Sequence, residues 1–209
     1  LSRRKFEMLD MPHQTAIAEL EIADIYAELN LNFEAVEIYR KVCEELRRLK
    51  LRSEESRARI NHARAALAIG DTKAAKRELT RALKLFAAEG NEAGTITARL
   101  ETANIALGSG DPHSALENTA IAFELLKKIE NPRLALTAGI IAGRAHAECR
   151  NTEKAAEAFR KVIGDAVRLR QPDIKLQLHH LTSPDERNPK KIVLDENDGL
   201  SIGVVQQQP

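Results

Sequence analysis

The sequence predicts an all-α fold, a stack of antiparallel helix pairs that winds into a superhelix. Three observations predict it. Ala35, Ala75, Ala115 and Ala155 stand 40 residues apart in succession, and several other columns keep the same spacing. Within each interval apolar residues return every three or four positions, the period of an amphipathic helix. Aromatic residues make up only 3% of the 209, and Trp is absent. A composition weighted to Ala and Leu suits close-packed helices better than a sheet, whose strands draw on aromatic and β-branched side chains.

The columns are specific. Twelve positions before each alanine sits a small residue, Ala23, Ala63, Ala103 or Gly143. Four positions after it comes Tyr39, Leu79, Thr119 or Phe159, and seven after it Val42, Ala82, Ala122 or Val162. Phe6, Leu46, Phe86 and Leu126 keep the period, as do Pro12, Pro132 and Pro172, with Arg52 and Glu92 in the intermediate places. A repeat of this length is one supersecondary unit that hides its apolar face only against its neighbours.

In chain order, residues 1–12 read as the end of a preceding repeat helix, because Phe6 falls in the column of Leu46. Four units follow, at 13–52, 53–92, 93–132 and 133–172. The first helix of the first unit, AIAELEIADIYAEL (16–29), carries Ile17, Leu20, Ile22, Ala23 and Tyr26 on one stripe. A polar turn at Asn30–Asn32 has counterparts at Gly70-Asp71, Gly110-Asp111 and Arg150-Asn151. Gly or Asn there suits a left-handed helix end, and Asp or Asn then caps the next helix. The second helix is expected from about Phe33 to Leu49, with copies near 73–89, 113–129 and 152–170. The prolines punctuate the turns between units. Ala23 facing Ala35, and its copies Ala63 with Ala75, Ala103 with Ala115 and Gly143 with Ala155, let the two helices of a pair cross closely. After Pro172 a partial capping helix at 173–183 stops at Pro184, and 184–209 has lost the period. That tail reads as a linker, or as a hairpin of Ile192–Leu194 and Leu200–Val205. The fourth unit leaves Val162 and Ile163 at an apolar end, a surface for weak self-association unless Leu176, Leu178 and Leu181 cover it.

The small residue, the aromatic or apolar position three later, the Ala and the apolar position four beyond it are Ala23, Tyr26, Ala35 and Tyr39 in the first unit. This pattern resembles the tetratricopeptide repeat (TPR) across residues 13–172. The resemblance implies a right-handed α–α superhelix, first helices lining an inner groove, and a protein-binding role. Two departures stand out. The pattern's Trp is missing, its place held by residues such as Glu19, and the period exceeds the usual one of about 34. The pattern's Pro is absent at Arg47, Ala87, Lys127 and Val167; Pro lies five residues later in the frame, at Pro132 and Pro172, with Arg52 and Glu92 in the other two places. The stretch MPHQTAIAELEIADIYAELNL is similar to the TPR regions that precede the caspase-like CHAT domain, which implies a larger bacterial signalling or CHAT-type parent protein.

Composition excludes several classes. A net charge of +1 gives no whole-chain field for nucleic acid or an acidic membrane. No run of about 18 apolar residues could span a bilayer, and no signal segment opens the chain. The chain begins with Leu rather than Met and is expected to be cut from something longer. Cys43 and Cys149, far apart, read as buried reduced thiols of a cytoplasmic protein. GxSxG, HExxH, GxxxxGK[ST] and GxGxxG are all missing, so no catalytic residue, cofactor or metal is expected. His13, His62, His113 and His146 are scattered, and His62 and His146 are expected to be satisfied by neighbours. His179-His180 diverge by about 100° on a helix and cannot share one ion. Cys149 and His146 lack a third, orienting group. The basic stretch ELRRLKLRSEESRARINHAR (45–64) reads as a solvated turn and helix face, with no aromatic residues for base stacking.

One polar series points to function. One residue after each small position come Asp24, Arg64, Asn104 and Arg144, with Arg57, Thr97 and Thr137 nearby on the same helices. Such a row is either solvated surface or a groove that hydrogen-bonds an extended peptide, with Arg64 and Arg144 as carboxylate forks and Arg47 and Arg48 uninvolved. The chaperone-binding clamp of some TPR proteins is not reproduced, because its Lys and Asn would fall at Leu20 and Asp24. The expected partner is a protein or peptide, neither nucleic acid nor membrane. The alternative reading is a ligand- or peptide-sensing regulatory domain of a transcription activator.

Overall fold

The computed structural model of the protein describes residues 2–9 and 11–169. These form the helices α1 (Ser2–Met8), α2 (Pro12–Glu28), α3 (Asn32–Arg48), α4 (Arg52–Ala68), α5 (Thr72–Glu89), α6 (Glu92–Gly108), α7 (Pro112–Leu126), α8 (Pro132–Glu148) and α9 (Thr152–Arg168), with no strand among the described residues. From α2 onward the helices begin at 12, 32, 52, 72, 92, 112, 132 and 152, so the 40-residue period is built from two 20-residue halves. The chain divides into two compact units, Leu1–Ile105 and Ala106–Pro209, and the division falls inside α6. The expected capping helix at 173–183 and the tail at 184–209 lie outside the described residues.

The halves are cut by one repeated device. Asn30, Lys50, Gly70, Gly90, Gly110 and Arg150 all have positive φ. The next amide in each case returns to the carbonyl five residues back, as in Leu31 N to Tyr26 O (2.9 Å) and Asp71 N to Ala66 O (2.8 Å). This closure satisfies carbonyls that the helix end would leave open. The turn before α8 differs: α7 ends at Leu126, short of the expected 129, as Lys127 and Lys128 close i→i+3 bonds onto Glu124 and Leu125. No left-handed residue follows them, and the chain runs straight to the cap of the next helix.

Helix starts fall into two classes. Asp71, Asn91, Asp111, Asn131 and Asn151 each accept a hydrogen bond from the amide three residues on, at 2.8–3.3 Å, worth about 1 kcal/mol per cap. Met11, Leu31 and Leu51 hold the same place without a side-chain cap. Pro12, Pro112 and Pro132 sit at the first positions of α2, α7 and α8, where a missing N–H costs nothing and the fixed φ suits a helix start. The prolines therefore open helices as well as separate units.

The periodic columns are the core. Ala23, Ala35, Ala63, Ala75, Ala103, Ala115 and Ala155 are at most 2% exposed, and Gly143 is buried with them. Tyr39, Leu79, Thr119 and Phe159, and likewise Val42, Ala82, Ala122 and Val162, are all buried. In the first unit one cluster joins Leu20, Ala23, Ala35, Tyr39, Val42 and Leu46, and a second joins Ala63, Ala75, Leu79, Ala82 and Phe86. In the second unit Leu136 packs with Ala155, Phe159, Val162 and Ala166. The closest approach there is between α8 and α9, where a Cβ on Gly143 would stand 2.6 Å from the Phe159 ring and one on Gly139 would strike Val162.

Candidate functional site

Helix α4 shows how one repeat helix serves two surfaces. Arg57, Asn61 and Arg64 lie at i, i+4 and i+7 on one face. Glu55, Arg59 and His62 follow the same spacing, displaced by two residues or about 200°, and so occupy the opposite face.

On the first face polar side chains are joined across successive first helices. The Tyr39 hydroxyl of α3 donates to Asp24 Oδ1 of α2 at 2.5 Å. Asn61 Nδ2 of α4 donates to the same oxygen at 2.9 Å. Arg64 donates from Nε and Nη2 to Glu101 Oε1 of α6, at 2.9 and 2.6 Å, and from Nη1 to Asn61 Oδ1 at 3.4 Å. Asp24, Asn61, Arg64 and Glu101 thus form a ladder over α2, α4 and α6. Burial and the bond to Asp24 raise the Tyr39 phenol above its ordinary value, so it remains a donor.

Two clefts border this ladder. One, of about 390 Å³, is lined by Asp24, Glu28, Tyr39, Asn61 and Arg64 among others. The other, of about 360 Å³, is lined by Arg57, Asn61, Arg64, Phe86, Asn91 and Thr97 among others. Of the residues expected from sequence, Asp24 and Arg64 meet round the first cleft, and Arg57, Arg64 and Thr97 round the second. Asn104 is half-buried on α6, seven residues beyond Thr97, while exposed Thr137 and half-buried Arg144 share a face of α8 in the second unit. Thr97 and Thr137 each spend their hydroxyl proton on a carbonyl of their own helix, Ala93 and Arg133, at 3.0 Å. Arg64 is not an empty fork: a carboxylate of its own chain, Glu101, already engages it, though the Arg64 side chain stays 52% exposed. Asn61 and Glu101, which share a column about one turn before the expected row, escaped the sequence reading.

The opposite face of α4 departs from expectation more strongly. The stretch 45–64 is only partly a solvated face, because Glu55, Arg59 and His62 are buried. Arg59 donates from Nε and Nη2 to Glu55 Oε1 (2.9 and 2.6 Å) and from Nη1 to Glu78 Oε2 of α5 at 2.5 Å. Arg77 Nε and Arg81 Nη1 each donate to Glu78 Oε1 at 3.0 Å. Burial pushes the Glu78 carboxyl up, but its bonds and charges from Arg77, Arg59 and Arg81 outweigh that and hold it below the ordinary value. Arg59 stands in the column of Glu19, the position that holds Trp in the tetratricopeptide pattern, and here that position carries a buried, ion-paired guanidinium.

His62 is also not satisfied by its neighbours as expected. Its Nδ1 is buried without a hydrogen-bond partner, and its ring stacks on Tyr39 at 6.2 Å between centroids. Burial is the first cause that holds its pKa below the ordinary imidazole value. Cys43, nearby, is buried, and burial pushes its thiol up to about 12, which leaves it protonated and unreactive at neutral pH. Among the described residues no group of His, Cys, Asp and Glu could hold a metal ion, and no helix is long and apolar enough to cross a membrane.

No family model matches the chain, and no curated protein does. Solved structures do. BtubC (BKLC) from P. vanneervenii superposes with a TM-score of 0.69 at 14% identity, covering 89% of this chain and 72% of its own. A Podosopora anserina protein of kinesin light chain type, with nearly identical TPR-like repeats, superposes in a variant form with a TM-score of 0.65 at 15% identity, covering 81% of this chain and 93% of its own. A second structure of that protein gives a TM-score of 0.62 at 15% identity over the same shares. At such identity the likeness speaks for the fold: the chain is an all-α helical repeat of the TPR-like kind, made of antiparallel helix pairs.

Proposed function

We propose that the protein is a protein-interaction scaffold whose first-helix face holds an extended peptide. The observation that carries this reading is the ladder Asp24–Asn61–Arg64–Glu101, with a cleft on either side of Arg64. A peptide backbone needs alternating donors and acceptors along its length, and side chains fixed on rigid helices supply them with little entropy left to lose. The bond to Glu101 orients the Arg64 guanidinium while its exposed edge stays available, and Arg57 and Thr97 extend the same surface. Asn104, Thr137 and Arg144 are the corresponding positions farther along the repeat. The function is binding rather than catalysis.

In its finer form the reading places the array inside a larger bacterial signalling protein beside a caspase-like domain, supported by the resemblance carried by residues 11–31. The parent sequence on either side decides this: a caspase-like domain with a His/Cys pair supports it, and a helix-turn-helix favours the transcription-activator alternative. The binding claim is tested by selecting peptides from a random display library against the full chain and measuring their affinity by fluorescence anisotropy. Asn61→Ala combined with Arg57→Ala is expected to weaken binding at least tenfold, with Arg48→Ala unchanged. Equal affinity for all three proteins contradicts the proposal.

A further inference from the structure

The buried ion pairs of α4 lie at the floor of a cleft of about 560 Å³, which opens between α3 and α5 on the side away from the ladder. Its walls are cationic. Arg40 and Arg47 line it from α3, and Arg77, Arg81 and Lys84 from α5. Counting Arg59, six cations face three carboxylates, Glu44, Glu55 and Glu78. Arg40 is ion-paired with Glu37, which stands outside the lining, so an excess of two positive charges remains, and it is local, because the whole chain carries a net charge of only +1.

The cations are both available and positioned. Arg77 and Arg81 each use a single nitrogen on Glu78 and remain 56% and 53% exposed. Buried Glu78 therefore fixes two guanidinium groups while their outer N–H donors stay open, an arrangement that suits carboxylate recognition. Arg47 and Lys84 take part in no ion pair among the described residues, and both are exposed. A further unspent group lines the same cleft: His62 is only 4% exposed, with an Nδ1 that nothing satisfies. A buried polar atom without a partner is rare enough in folded proteins to indicate a missing one.

We infer that this cleft is a second binding site, separate from the first-helix face, and that it takes an acidic peptide segment. The eight residues from Arg77 to Lys84, like those from Arg40 to Arg47, spread positive charge over about 10 Å of helix. An extended segment of three or four residues, at about 3.3 Å each, spans that length and directs alternate carboxylates to one wall. A single small anion would use only part of it. No Phe, Tyr or Trp lines the cleft, so it lacks the large aromatic platforms on which single-stranded nucleic acid stacks its bases.

The test uses the full chain and a fluorescein-labelled octapeptide of alternating Glu and Gly, compared with its Gln counterpart and with tripolyphosphate. Arg47→Gln with Lys84→Gln is the variant of choice, because neither residue supports the fold through an ion pair. Saturable binding of the acidic peptide is expected, at least tenfold weaker for the Gln peptide and at least fivefold weaker for the double variant, with its melting temperature unchanged. Asn61→Ala on the opposite face leaves this binding as it is, so the result stands apart from the fate of the first-helix reading. The inference is overturned if the acidic peptide does not bind, if the Gln peptide or the double variant binds as well as its reference, or if tripolyphosphate binds and the peptide does not.

Discussion

His62 shows why the polar residues of the second repeat were hard to read. Glu55 and Arg59, four apart, look like an ordinary surface pair on a helix, and only Glu78, nineteen residues beyond Arg59 in the next helix, makes them an interior network. Sequence spacing within one helix cannot reveal a partner supplied by another. The burial has a consequence for pH. Burial holds His62 below its ordinary value of 6.5, so the unfolded chain takes up a proton that the folded chain resists. Stability from this residue is complete above about pH 6.5 and declines as pH falls toward the depressed value. Glu78, also below its ordinary 4.5, contributes stability above that value that is lost as pH falls through the lower one. The melting temperature is therefore expected to drop in two stages, and His62→Gln to flatten the first of them, just below about pH 6.5. Identical profiles for the two proteins in that window would count against the assigned burial of His62.

At the scale of helices and turns, the sequence was legible wherever a residue type has one use. Asn30, Gly70 and Gly110 announced left-handed helix ends, and Asp71, Asp111 and Asn151 announced caps, as the structure shows. Lys50 adopts the same backbone without a compositional signal, and Gly90 with its cap Asn91, which carry one, went unread, so the 20-residue half-period stayed hidden inside the 40-residue one. The small column behaves as a mechanical part. A Cβ added at Gly143 would press on Phe159, whereas one added at Gly164 of the neighbouring α9 meets nothing within 4 Å. Gly143→Ala is expected to destabilise by about 1–3 kcal/mol through overpacking, reduced somewhat by the better helix propensity of Ala. Gly164→Ala is expected to stabilise by up to about 1 kcal/mol from that propensity alone. Urea unfolding of both variants checks this, and a stable Gly143→Ala protein would show that α8 and α9 can separate without penalty.

For the molecule as a whole, the fold is shared at 14–15% identity, and in this chain it rests on column chemistry, small residue against small residue with apolar flanks. That chemistry was readable from one sequence. The proposed binding face was only half readable, for a geometric reason: Asp24 meets Asn61, and Arg64 meets Glu101, across 37 residues rather than 40. Alignment at the repeat period lists these residues in separate columns and hides that they are joined. The central claim, that the joined face is where a partner peptide lies, is tested most directly by nuclear magnetic resonance. A library-selected peptide is titrated into the 15N-labelled full chain. The account predicts that the Asn61 side-chain amide and the Arg64 Nε–H shift together with backbone amides of α2, α4 and α6, while those of 40–47 in α3 and 77–84 in α5, on the opposite side, hold still. Shifts confined to α3 and α5, or a tight-binding peptide that leaves Asn61 and Arg64 unmoved, would contradict it.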